Sequence, residues 1–216
     1  TPTDLWYEFT TDAIGGTHII TTCGSGYDTR LTLWDACGGT ELACNDDDCG
    51  TQSTLTACAL APNTTYLVQV GGFQANTVGT GILDISSAGV PVPANDECAS
   101  ATVLADGAVV GLAVDSTGSC ASGPLPSCAV VFDTPNDVFY RWSPDADGTW
   151  TFTTTGASFD SRLTIFDACG GTELGCNLGS PDAALNITGL LDANDYIIML
   201  SGDGSLTGTA TLDIGP

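Results

Sequence analysis

The chain has 216 residues, 26 Asp plus Glu against 3 Lys plus Arg, and a formal net charge of -23. There is no lysine, and the three cations are Arg30, Arg141 and Arg162. This excludes the clustered basic side chains that nucleic acid or an anionic membrane surface requires, and lysine chemistry with them.

The other features describe a folded extracellular protein. Hydrophobic residues make up 43% of the chain and there are 4 Trp, enough for a core, while 27 Gly and 10 Pro supply turns. Ten cysteines imply an oxidising compartment, hence an extracellular or cell-surface location. No apolar run is long enough to span a bilayer, so no membrane insertion is expected. A secretory signal, if one existed, was removed before Thr1.

In chain order, the first segment is TPTDLWYEFTTD (1–12), an aromatic strand pattern. His18 follows in a second strand. As the lone imidazole, in a strand, it offers no Ser-His-Asp or Cys-His arrangement. Next comes YDTRLTLWDACGGTELACN (27–45), with alternation at Leu31 and Leu33. Cys37 and Cys44 flank its turn, and a small Cys37–Cys44 loop is expected.

The acidic run Asn45, Asp46, Asp47 and Asp48 follows. With Asp28 and Asp35 it offers the hard oxygen ligands that calcium takes, so calcium is the expected cofactor of this first half. Cys23–Cys49 is the expected second bridge. LTACALAPNTTYLVQV (55–70) holds the sequon at Asn63, and GTGILDI (79–85) closes the unit. Phe73, in a Gly-flanked turn, is a candidate ligand contact.

After GVPVPAND (89–96) the pattern restarts. TPNDVFYRWSPD (134–145), FDSRLTIFDACGGTELGCN (159–177), LNITGLLDANDYIIML (185–200) and GTATLDI (208–214) match the four earlier segments in order. The chain is thus two copies of one module, with domains expected at 1–90 and 91–216. Each reads as an antiparallel β-sandwich of jelly-roll type: strand-length segments rich in Thr, broken by Gly and Asp turns, without helical periodicity.

The second copy repeats the cysteine spacing, so Cys169–Cys176 is expected. It keeps Asp160, Asp167 and Asn177 but loses the Asp run, which weakens calcium there. Cys23 aligns with Thr155, consistent with Cys23 and Cys49 being partners. For Cys58, Cys98, Cys120 and Cys128 the pairing stays open: Cys98–Cys120 with Cys58–Cys128, or Cys58–Cys98 with Cys120–Cys128. Asn186 is a second sequon. Aromatics exchange with aromatics at matched positions (Trp6 with Phe139, Trp34 with Phe166, Tyr66 with Tyr196), which points to core or near-core packing rather than a sugar platform.

One difference stands out. The second copy has a leading segment, 95–133, that the first lacks. A sandwich without that strand material exposes unpaired backbone and an apolar groove. Either preceding sequence or another chain, by strand addition, is expected to fill it.

The motifs DLWYEFT, YDTRLTLWDACGGTELACNDDDCG and TTYLVQVGGF…GTGILDI resemble the bacterial pre-peptidase C-terminal-type β-sandwich domains, including cysteine-rich versions in large secreted proteins. The resemblance implies a non-catalytic appendage, with calcium at Asp28, Asp35 and 45–48. The expected function is therefore a non-enzymatic extracellular structural protein, a repeat unit of a secreted fibre or surface layer. Its partners are other copies of itself, joined head to tail by strand complementation. The alternative is a calcium-dependent polysaccharide- or matrix-binding module of a larger secreted enzyme, with glycans as partners.

Overall fold

The structure is a computed structural model, and it describes residues 4–129, 135–192 and 194–216. The last residues of the leading segment, 130–133, lie outside the described residues. Apart from a 3-10 turn at Cys98–Ser100, the regular elements are strands. The chain forms two compact units, Thr1–Pro91 and Val92–Pro216, so the division falls one residue after the expected 90.

Unit 1 contains β1 (Leu5–Thr10), β2 (Gly16–Thr21), β3 (Thr29–Trp34), β4 (Glu41–Asn45), β5 (Thr54–Leu60), β6 (Thr65–Gly72) and β7 (Asp84–Ser87). They form two antiparallel sheets, ordered β1-β6-β3-β4 and β5-β2-β7. Side chains alternate across each strand, and Ile20, Leu31, Leu33, Leu55, Val68 and Val70 fill the space between the sheets.

Unit 2 contains β8 (Thr102–Val103), β9 (Val109–Asp115), β10 (Asp137–Trp142), β11 (Gly148–Thr155), β12 (Ser161–Phe166), β13 (Glu173–Leu178), β14 (Ala184–Leu190), β15 (Tyr196–Gly202) and β16 (Thr209–Gly215). Its sheets run β13-β12-β15-β10-β8 and β14-β11-β16-β9. The core is larger and aromatic at its centre, where Trp142 meets Trp150 and Phe152 edge-on at 4.9 and 5.3 Å.

The repeat holds in register. Trp6 faces Gln69 across the β1–β6 ladder as Phe139 faces Met199 across β10–β15. Thr32 faces Cys44 across β3–β4 as Thr164 faces Cys176 across β12–β13. The turn DACGGTEL is likewise one structure used twice. Asp35 accepts from Thr40 N and Asp167 from Thr172 N, both at 2.6 Å. A Cβ on Gly39 or Gly171 would collide with that Asp carboxylate, and the preceding Gly38 and Gly170 have φ of 71° and 70°. Only glycine meets both demands.

The units differ by the two strands that the leading segment supplies. β8 adds in parallel to the free edge of β10, and β9 adds antiparallel to β16. The corresponding edges of β1 and β7 carry no such strand among the described residues.

Disulfide pairing departs from expectation in both units. Cys23–Cys49 is bonded, with Cα atoms 5.9 Å apart. Cys169 bonds Cys98 and Cys176 bonds Cys128, with Cα separations of 5.8 and 5.7 Å. The expected Cys169–Cys176 bridge is therefore wrong, as are both pairings considered for Cys98 and Cys128. Cys37 and Cys44 are exposed thiols, so the expected Cys37–Cys44 bridge is absent too. The reason is hairpin geometry: Cys169 sits in the turn and Cys176 lies three residues along β13. At about 3.3 Å per residue that offset exceeds the roughly 7 Å a bridge tolerates. Cys58 and Cys120 are each disulfide-bonded.

Candidate functional site

The site is the outer face of the β1-β6-β3-β4 sheet, the side turned away from the unit 1 core. Strand alternation places Arg30, Thr32 and Trp34 there from β3, Trp6 and Glu8 from β1, and Leu67 and Gln69 from β6. Trp6 and Trp34 lie 6.2 Å apart with planes tilted by 44°. Trp34 Nε1 donates to Gln69 Oε1 at 3.1 Å, and Gln69 Nε2 donates to Asp4 Oδ2 at 2.8 Å. Beside this chain of contacts opens a cleft of about 380 Å³, lined among others by Asp4, Arg30, Trp34, Glu41, Gln69 and Phe73.

The same face in unit 2 is covered. Phe139, Phe166, Ile197 and Met199 occupy the positions of Trp6, Trp34, Leu67 and Gln69, and form a buried cluster with Cys98 and Ala101 packed on it. The cover is residues 95–129. Asn95 clamps Phe139 through both N–H···O directions, Phe139 N to Asn95 O at 2.8 Å and Asn95 Nδ2 to Phe139 O at 3.0 Å. Gly123 crosses so close that a Cβ would lie 2.8 Å from Phe139 and 2.9 Å from Met199. Asp137 accepts from Gly123 N and from Ser122 Oγ, and Glu173 accepts from Ser127 N and Oγ.

Burial of Asp137 beneath this cover pushes its carboxyl up to about 6. Arg162 is also fully buried, with Nη2 3.3 Å from Asp203 Oδ1. That Asp203 carboxylate comes from the turn after β15.

Unit 1 has no such cover among the described residues, and its matching residues lie in solvent. Trp6 is 52% exposed where Phe139 is 1%, and on the core side of the same strand Leu5 is 59% exposed where Val138 is 0%. The reading of the matched aromatics as core holds for unit 2 and fails for Trp6 and Tyr7, because ring type does not reveal whether a covering segment is present. Cys44 is exposed on this face, and a hydrogen bond to the Glu41 carboxylate holds its thiol protonated above the ordinary range.

The expected calcium ligands do not all come together. Asp28 and Asp35 flank β3 at opposite ends, separated by roughly 20 Å at strand rise. One ion cannot take both. Asp160 and Asp167 flank β12 in the same way. Asp35 and Asp167 serve their turns, while Asn45 and Asn177 accept from Thr54 N and Ala184 N. Asp28 Oδ1, buried and without a hydrogen-bond partner, shares an end of β3 with the 45–48 loop. Among the described residues no group of three His, Cys, Asp or Glu side chains is placed to hold a metal ion.

Of the other candidates, Phe73 is 48% exposed at the cleft. Asn63 and Asn186 are both exposed, Asn63 in the β5–β6 turn and Asn186 on β14, where its Oδ1 accepts from Thr151. His18 is buried in β2 with its ring 5.6 Å from Phe9. No helix among the described residues is long and apolar enough to cross a membrane.

A family model described as galactose-binding domain-like and T9SS-associated matches residues 1–84 and 94–214. The second match takes in the covering segment. The match supports the cysteine-rich β-sandwich module expected from the sequence and places the chain in this family. No curated protein matches. Among solved structures, the CUB1-EGF-CUB2 region of human MASP-1/3 is 10% identical, with 100% of this chain and 93% of that chain covered and a TM-score of 0.27. Isomalto-dextranase of Arthrobacter globiformis T6, complexed with panose, is 12% identical over 99% of this chain and 32% of that chain, with a TM-score of 0.26. An uncharacterised protein from Burkholderia cenocepacia is 11% identical over 98% and 76%, with a TM-score of 0.24. Likeness at this level carries nothing about function.

Proposed function

The chain belongs to the T9SS-associated galactose-binding-domain-like family, and on that footing we propose that it is a non-catalytic structural module of an extracellular array, joined to its neighbours by strand complementation at unit 1. The observation that carries this is the contrast between the two copies. Among the described residues, the sheet face and edge that unit 2 covers with residues 95–129 stand open in unit 1, with Leu5, Trp6 and Tyr7 exposed. An open edge with apolar neighbours is the setting in which an added strand gains main-chain hydrogen bonds and burial together. The one described imidazole is buried in a strand, and no acid–base pair is singled out by the site.

The test is the state of the protein in its own extracellular material. High-mass assemblies in which antibody label on unit 1 appears only after denaturation support the proposal. A free monomer with unit 1 accessible refutes it.

A second reading rests on the cleft itself. Trp34 and Phe73 beside Asp4, Arg30 and Gln69 offer ring faces with polar groups at their rim, the combination a sugar takes. In that case a glycan array returns a ligand of micromolar affinity, and Phe73→Ala abolishes it. Calcium narrows to the end of β3 that holds Asp28 and Asp46–Asp48, where the loop would have to close around the ion.

A further inference from the structure

We infer that the outer face of unit 1 is the receptor for a peptide segment of the kind residues 95–129 represent in unit 2, carried outside residues 1–216, and that Cys37 and Cys44 form disulfides with two cysteines of that segment. This rests on the structural-module reading and names the partner's chemistry.

The two thiols are positioned as their bonded counterparts are. Cys37 occupies the turn position of Cys169, and both turns are held by the same 2.6 Å Asp-to-Thr hydrogen bond and the same 3.0 Å Gly-to-Ala backbone bond. Cys44 faces Thr32 as Cys176 faces Thr164. In unit 2 both cysteines are consumed by the covering segment, through Cys98 and Cys128. In unit 1 both are exposed thiols. An oxidising compartment does not leave such a pair idle, and the hairpin offset that keeps Cys169 from Cys176 keeps Cys37 from Cys44.

The rest of the receptor is present as well. Glu41 stands where Glu173 receives Ser127, and Asp4 where Asp137 receives Ser122 and Gly123. Trp6 N and Glu8 O stand where Phe139 N and Arg141 O bond Asn95 and Leu104. Residues 95–129 of a second copy do not qualify, because they are already bonded within their own unit 2.

The chemistry balances with a disulfide oxidant such as oxidised glutathione. For each bond, one thiolate attacks the oxidant and releases one glutathione thiol. The docked partner thiolate then displaces the second. Two protein bonds thus consume two oxidised glutathiones and release four thiols.

The experiment uses the 216-residue chain with a synthetic peptide of residues 95–129 carrying Cys120→Ser, in a glutathione redox buffer. The products are mapped by non-reducing mass spectrometry. The expected product is a one-to-one adduct with Cys37 bonded to peptide Cys98 and Cys44 to peptide Cys128. Docking should make it form about a hundredfold faster than with a scrambled peptide. A Cys37→Ser/Cys44→Ser chain should still bind the peptide reversibly, with a shift in Trp6 and Trp34 fluorescence. An internal Cys37–Cys44 bond, a disulfide dimer of two chains, glutathione adducts alone, or equal rates with the scrambled peptide each overturn the inference. If the adduct forms but the native protein is a free monomer, the receptor stands and the array reading fails. If native assemblies keep Cys37 and Cys44 as thiols, the array stands and the disulfide-linked receptor fails.

Discussion

Phe139 and Trp6 are the same position in the two copies, and truncating each measures what the covering segment contributes. Phe139 is 1% exposed and sits among Phe166, Ile197 and Met199 under residues 95–129. Removing a fully buried Phe ring costs about 3–5 kcal/mol in transfer and cavity terms. Trp6 is 52% exposed and meets Trp34 on this face in a tilted pairing. Half the burial, with no closed cavity left behind, puts Trp6→Ala at about 1 kcal/mol or less. At roughly 4 °C per kcal/mol, Phe139→Ala lowers the unit 2 transition by about 12–20 °C, while Trp6→Ala moves that of unit 1 by about 4 °C or less. Calorimetry on the oxidised full chain resolves the two units, which need not melt together. Equal losses at the two positions would refute the reasoning, since they would mean that Trp6 is as enclosed as Phe139.

Three further outcomes follow from particular residues. Asp137 has a folded value of about 6 against 3.8 unfolded, so between those values the native state holds the proton that the unfolded state has lost. The stability of unit 2 should therefore fall as pH rises from about 4 through 6, by up to about 3 kcal/mol, and carboxyl-carbon NMR should show Asp137 titrating near the upper end. Gly171→Ala drives the Asp167 carboxylate from Thr172 N; a loss of about 1–3 kcal/mol, read by denaturant melts, checks that this Gly is required by space. For calcium, a melting rise that magnesium at equal ionic strength does not reproduce, and that Asp46→Ala/Asp47→Ala removes, is the result that places an ion at the 46–48 loop; equal shifts from both ions reduce it to screening.

Much of the fold was legible because it repeats. Alternation at Leu31 and Leu33, the DACGGTEL turn and the aromatic first strand each appear twice, and matched residues occupy matched ladder positions. That the second copy carries a leading segment with no counterpart within residues 1–90 was legible from the same comparison. Of the disulfides, Cys23–Cys49 was legible, since Cys23 has no cysteine counterpart in the second copy; the bridges of Cys169 and Cys176 were not, because seven residues along the chain is not a short distance when a strand runs through it. Cys169 and Cys176 look like neighbours in the sequence and diverge in the hairpin. The face at Trp6 was hidden for a related reason: a ring at a repeated position is buried only if something lies over it, and that something is far away in the chain. Asp28 with Asp35 shows the same limit, since adjacency in a motif placed them at opposite ends of one strand.

The burial of Arg162 has a kinetic consequence. It withdraws one of three cations from solvent, and Arg141 is half-buried, so Arg30, on the uncovered face of unit 1, is the exposed one. A segment resembling 95–129 is itself acidic, with Asp96, Glu97, Asp106 and Asp115. Its approach is opposed by the long-range field of a chain bearing -23 and favoured only in the last few ångströms, near Arg30. With a Debye length of about 30 Å at 0.01 M salt and about 8 Å at 0.15 M, capture should be slow in dilute medium and quicken as ionic strength rises. That is the reverse of ordinary electrostatic steering, and it would make the surrounding salt the timer of assembly.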